Sequence, residues 1–223
     1  MIVGLVGFAG SGKDTIGELM VKNHGFFRES FAKSLKDAAS IIFNWNRVLL
    51  EGETAESRNW REQDDEWWSA KLGRRMSPRL ALQLLGTECG RGVFGQNLWT
   101  SSLVSRIDQK KNYVITDVRF PNEIDTIKSL GGKIVVVKRG IDPVWYDVAY
   151  ECNTKNNPER MLKEFSGIHM SEWAWIGSGH DITFDNNCEI AQLPKRVDSL
   201  VDSLYNERVE EIVKPEIHNE TVE

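Results

Sequence analysis

Gly7-Phe8-Ala9-Gly10-Ser11-Gly12-Lys13-Asp14-Thr15 follows an apolar run from Ile2 to Val6 and opens into a helix-like segment from Lys13 to about Asn23. A strand, a glycine-rich turn, a lysine and a helix in this order make a phosphate-binding loop. Glycines at 7, 10 and 12 let the backbone bring its N–H groups against a polyphosphate, while Lys13 supplies a point charge for the β- and γ-phosphates. Asp14 stands where a serine or threonine hydroxyl usually meets magnesium. Two roles are open to it: a metal ion lies between it and the phosphates, or it complements the positive helix terminus while Thr15 serves the metal.

The 223 residues, 40% of them hydrophobic, suit one α/β domain over residues 1–205, with inserted segments and an acidic tail over 206–223. A net charge of -5 gives no general attraction to nucleic acid or to an anionic membrane, which favours a small nucleotide over a polymer as ligand. Cys89, Cys152 and Cys188 are far apart and form no Cys-x-x-Cys pair, as expected of a reducing cytoplasm rather than a disulfide framework or zinc site. No apolar run has the length of a membrane span, and Ile2 to Val6 is too short for a signal segment. The expectation is a cytoplasmic protein, with a homodimer left open.

Outward from the loop, a short strand is expected within Gly25 to Glu29, followed by a helix from Ser30 that carries Leu35, Ala39 and Ile42 on one face. Lys33 and Lys36 lie off that face. Residues 51–77 mix charges of both signs with Trp60, Trp67 and Trp68 and show no sustained period, which suggests an inserted substrate cap with Arg58 and Arg61 facing a cleft. Ser77-Pro78 starts a helix that sets Arg79 and Gln83 on one face and closes at Gly86-Thr87-Glu88. A further helix, from about Gln96 to Asp108, places Trp99 near its start.

Asn112 to Thr116 reads as a strand ending at Asp117, Pro121 to Leu130 as a helix, and Lys133 to Lys138 as a buried strand. That unit is parallel and right-handed, so Asp117 and Arg119 belong to the edge of the sheet where the loop lies. Residues 139–178, rich in Trp and Tyr, are expected to be an irregular lid. Asp181 to Phe184 and Ala191 to Tyr205 complete the pattern as a strand and a closing helix.

Phosphoryl transfer is mostly positioning and charge neutralisation, and Arg79, Arg91 and Arg119 are placed to contribute cations beside Lys13. Asp117, at the end of a Walker B-like strand, is placed to hold the metal's water or to activate the acceptor. Arg79 and Arg119 suit the acceptor's phosphate, because a guanidinium fixes a phosphate with two parallel hydrogen bonds. Their plainer alternative is a bridge to an acid such as Glu88 or Glu123.

Gly10 to Thr15, Pro78-Arg79-Leu80-Ala81-Leu82-Gln83-Leu84-Leu85-Gly86-Thr87-Glu88, Trp99 and Asp117-Val118-Arg119-Phe120 occur in this order. As a set, spanning roughly residues 1–185, they resemble bacteriophage deoxynucleoside monophosphate kinases. The resemblance implies a three-layer P-loop kinase fold, a parallel β-sheet flanked by helices, and transfer of phosphate from ATP to a dNMP with Mg²⁺. It implies that Gly10, Ser11, Gly12, Lys13, Asp14 and Thr15 bind ATP and that Asp14 and Thr15 are the residues nearest the metal. Arg79, Gln83, Trp99, Asp117 and Arg119 would surround the dNMP. His169-Met170-Ser171-Glu172 is similar to a lid-side His-x-x-Glu segment of that family. Two alternatives are a dephospho-coenzyme A kinase and a P-loop protein that holds ATP without transferring its phosphate.

Overall fold

β1 (Ile2–Val6) is buried at every position, as a strand with neighbours on both edges must be. The computed structural model describes residues 1–213, with side chains through 206. Two compact units divide the chain: Met1–Arg28 with the described residues from Gln109 onward, and Glu29–Asp108.

The first unit is built on a sheet whose order is β2 (Phe27–Glu29), β3 (Tyr113–Ile115), β1, β4 (Lys133–Lys138) and β5 (Ile182–Asp185). β1 pairs in parallel with β3, Gly4 opposite Ile115, and with β4, Val6 opposite Val136. β4 pairs in parallel with β5. Alternation along β1 sends Val3 and Leu5 to one face, where they join Ile16 and Met20 of α1 (Lys13–His24) and Val197, Leu200 and Leu204. Those last three lie on the long closing helix Leu193–Val213, which begins two residues later than its pattern suggests and runs eight residues further. The remainder of the expected acidic tail lies outside the described residues. Gly4 turns to the opposite face, against Ile127 of the helix Pro121–Ser129. This unit therefore has the expected helix, sheet and helix layers. Its parallel strands bring the loop after β1, the Thr116 to Arg119 turn after β3, Arg139 after β4 and Asn186 after β5 to one edge.

Residues 139–178 are more regular than expected. They contain helices Tyr146–Thr154 and Glu159–Glu164 and a 3₁₀ turn at Met170–Glu172, and Trp173, Trp175 and Ile176 are buried.

The second unit is helical: α2 (Lys33–Phe43), α3 (Arg47–Glu51), α4 (Ala55–Glu62), α5 (Glu66–Leu72), α6 (Pro78–Gln83), α7 (Gly92–Phe94) and α8 (Leu98–Val104). The aperiodic stretch expected over 51–77 holds two short helices with side-chain caps. The Thr54 hydroxyl accepts from the Ser57 N–H, and the Asp65 carboxylate accepts from the Trp68 N–H. Its tryptophans pack mainly on their own unit. Trp45 stacks on Phe43 at 4.4 Å, and Trp60 and Trp68 close edge-on around that pair. Gly86 does not end the helix that Pro78 begins. The backbone continues as a π-helix over Leu84–Arg91, and the Trp99 indole donates to the Gly86 carbonyl at 2.8 Å. Trp99 thus holds a widened turn of the kind often found beside functional sites.

Candidate active site

The loop is shaped from three sides. Its backbone turns tightly, Ser11 N–H donating to the Phe8 carbonyl at 3.2 Å, and Gly12 enters α1 at φ 96°. Asn186 packs on that turn: its side-chain amide donates to the Ser11 carbonyl at 2.7 Å in a buried contact, and a Cβ at residue 12 would lie 2.3 Å from the same nitrogen. Phe8, at the tip, meets Trp145 at 5.4 Å, Tyr146 at 6.1 Å and Trp175 at 5.2 Å. The aromatic residues of the 139–178 segment therefore seat on the loop through Phe8.

Lys13 donates to the carbonyls of Gly7 and Phe8 at 2.7 and 2.8 Å. Burial lowers its pKa to about 8, and the nearby Arg119 guanidinium pushes in the same direction while Asp14 and Glu172 oppose it. The Asp14 Oδ1 accepts from Arg28 at 2.6 Å and from the Thr116 hydroxyl at 2.8 Å. Arg28 also donates to Thr116 Oγ1 at 3.2 Å, closing a three-residue knot at the foot of the loop. Both side-chain bonds of Asp14 fall on one oxygen, which leaves Oδ2 as the oxygen able to face a metal or a metal-bound water.

Past β3, Asp117 is half-buried. The buried Glu123 carboxylate accepts from the N–H groups of Arg119 and Phe120 at 2.8 and 3.1 Å, so it fixes the backbone on which Arg119 is mounted. The Arg119 side chain pairs with Glu172 at 2.6 Å, which gives the His169 to Glu172 segment a definite contact. Lys13, Asp14, Arg119 and Glu172 form one electrostatic group. Beside Asn186, an open groove of about 530 Å³ is lined by Arg139, Asn187, Cys188, Glu189 and Gln192.

In the helical unit, Arg79 pairs through Nε with Glu62 at 3.2 Å, and both side chains are largely exposed. Arg58 and Arg61 bond carbonyls at and beyond the end of α3. Two residues had no signal in the sequence. Arg28 sits on a three-residue strand, and Asn186 reaches the loop from 175 residues away. Nothing local marks either.

A protein of Acanthamoeba polyphaga mimivirus named as a deoxynucleotide monophosphate kinase is 32% identical over 153 residues, which cover 62% of this chain and 74% of that protein. The chain belongs to the deoxynucleotide monophosphate kinase family. The deoxynucleoside-5'-monophosphate kinase of Escherichia phage T5 is 29% identical over 179 residues, 57% of this chain and 72% of that protein. No protein-family model matches the chain. Among solved structures, a shikimate kinase of Aquifex aeolicus is 16% identical with a TM-score of 0.45, over 94% of this chain and 99% of its own. A gluconokinase of Sinorhizobium meliloti is 12% identical with a TM-score of 0.39, over 92% and 96%. The fold assignment stands on the strand order and the loop, not on these two likenesses.

Proposed function

We propose that the protein transfers the γ-phosphoryl group of ATP to a deoxynucleoside monophosphate, giving dNDP and ADP. The observation that carries this is the loop itself: a buried strand, Lys13, and α1 aimed at one point, with Arg119 and Glu172 tied into the same electrostatic group. A phosphate oxygen of the acceptor attacks the γ-phosphorus, the bond to the β–γ bridging oxygen breaks, and ADP leaves. The protein's part is to hold both phosphates in line and to neutralise their charge.

Gly10, Ser11 and Gly12 offer backbone N–H groups to the donor. Lys13 exchanges the carbonyls of Gly7 and Phe8 for phosphate oxygens. The open, polar groove beside Asn186 is the candidate place for the adenosine, because Asn186 joins its wall to the loop.

The donor set fits magnesium. Among the described residues no group of three or more His, Cys, Asp or Glu gathers as a metal cage, and Mg²⁺ characteristically takes one or two protein oxygens, with phosphates and water completing its shell. The Thr15 hydroxyl and Asp14 Oδ2 would hold it, and bound there it would neutralise charge on the β- and γ-phosphates. Asp117 orients the acceptor or a metal-bound water. Arg79, Gln83, Trp99 and Arg119 bind the dNMP, the two arginines on its phosphate. The protein works on free nucleotides in the cytoplasm, that of the host if it is phage-encoded.

A coupled ADP assay with the four dNMPs, the four NMPs and dephospho-coenzyme A tests this. Turnover with at least one dNMP and none with dephospho-coenzyme A is expected. ADP release with no dNMP would refute the assignment.

A further inference from the structure

Arg61, in the helical unit, carries a buried donor without a partner. Of its guanidinium nitrogens, only Nη1 makes hydrogen bonds, and both are long: 3.4 Å to the Leu50 carbonyl and 3.5 Å to that of Glu51. Nε is buried and has no partner. A buried donor left unpaired costs free energy, and such groups are rare in native folds. Yet the fold makes room for this one. The guanidinium lies flat on Gly52, where a Cβ would fall 2.2 Å from Cζ, and Gly52 takes φ 70° as the residue that ends α3.

Charges of both signs surround Arg61, Arg79 and Arg58 opposed by Glu62 and Glu51. Burial and then the Arg79 guanidinium push the Arg61 pKa below the usual arginine value. Arg58 lies beside it, donating to the Glu53 carbonyl at 2.8 Å. The acids close at hand are largely committed elsewhere. Glu51 is paired with Lys36 and Arg47, and Glu62 is held by Arg79 in an exposed pair that stabilises little. Neighbouring guanidiniums with spare N–H groups match the several oxygens of a phosphate dianion, which a carboxylate does not fill.

We infer that Arg61 is a further guanidinium for the acceptor's 5'-phosphate, beside Arg79 in the helical unit. The inference rests on the kinase reading above, in which the loop and Lys13 serve the phosphates of ATP and arginines serve the acceptor's. On phosphate binding Arg61 exchanges its two long carbonyl bonds for shorter ones to an anion, and Glu62 yields Arg79 to the same anion. Arg58, already bonded at ordinary distance, stays with the backbone.

The test is calorimetric binding of dTMP, dGMP, thymidine and ADP to the wild type, Arg61→Met and Arg61→Lys, with thermal melts of each. Arg61→Met should weaken dNMP binding about tenfold to a hundredfold, the loss of one or two charge-assisted bonds. Thymidine and ADP binding should hold, and the melting temperature should not fall, because an unpaired buried N–H beside a like charge has been removed. Arg61→Lys should recover only part of the affinity. Unchanged dNMP affinity in Arg61→Met would overturn the inference, as would a loss shared by ADP and accompanied by a lower melting temperature. If the wild type phosphorylates dNMPs while Arg61→Met binds them normally, this inference fails alone. If the wild type phosphorylates none, the kinase reading fails and this inference with it.

Discussion

The two units hold their functional side chains in opposite ways. In the sheet unit Lys13, Asp14 and Arg119 each have short partners: Lys13 two carbonyls, Asp14 Arg28 and Thr116, Arg119 Glu172. In the helical unit Lys36 and Arg47 are tightly paired and aromatic rings pack around Trp45, Phe43 and Trp68, while Arg61 and Arg79 are poorly or loosely paired. The first arrangement fixes its groups beside the loop by short bonds, which on the kinase reading are exchanged for phosphate oxygens. On the reading proposed above, the second keeps cations in reserve for the anion of the substrate.

The largest break in this contrast comes from Lys13→Ala. It should lower kcat by about a hundredfold to a thousandfold, as for removal of one preorganised charge, with the melting temperature nearly unchanged. Near-normal turnover would end the kinase assignment. Arg119→Lys comes next. A single ammonium cannot reproduce a bidentate grip, so kcat/KM for the dNMP should fall roughly tenfold to a hundredfold, with the KM for ATP little altered. If the KM for ATP rises and that for dNMP does not, Arg119 serves the donor instead. Asn186→Ala tests the scaffold rather than the chemistry. It strands the buried Ser11 carbonyl, so urea unfolding should show a loss of about 1–3 kcal/mol. A fully stable variant would show that Asn186 does not shape the loop.

The same contrast explains how far the sequence could be read. The loop, β1, β4 and the helix after Pro121 are each announced locally, by glycines, unbroken apolar runs or a proline at the first helical turn, and each stands where the pattern puts it. Helices α4 and α5 hold eight and seven residues, too few turns for a hydrophobic period to emerge from so charged a stretch. At Gly86 a stop signal was outweighed by tertiary contact, since the Trp99 indole takes the carbonyl that a helix end would leave free. Of the site, Lys13, Asp14 and Arg119 were legible because their motifs are contiguous. The Arg28–Thr116 and Asn186–Ser11 contacts span 88 and 175 residues, and only the strand order brings them together.

The smallest effect near neutrality separates the two roles of Lys13 by the sign of their pH dependence. In the folded protein its pKa is lowered to about 8 from 10.5, chiefly by burial. Between those values the unfolded chain carries the proton and the folded chain does not. The unfolded state then binds more protons, so this residue's contribution to stability rises as pH climbs from about 8 towards 10.5 and is flat below 8. Nucleotide binding has the opposite sign, because a polyphosphate needs the ammonium form. On raising the pH from 7 to 8 the Kd for ATP should increase by about twofold, and more steeply beyond. Melting temperatures without nucleotide and calorimetric Kd values for ATP, both taken over pH 7 to 10, read the two trends on one sample. Lys13→Met should flatten both, since it removes the titrating group. An ATP affinity that holds constant through pH 9 in the wild type would mean that the Lys13 ammonium does not meet the phosphates, whatever the stability curve does.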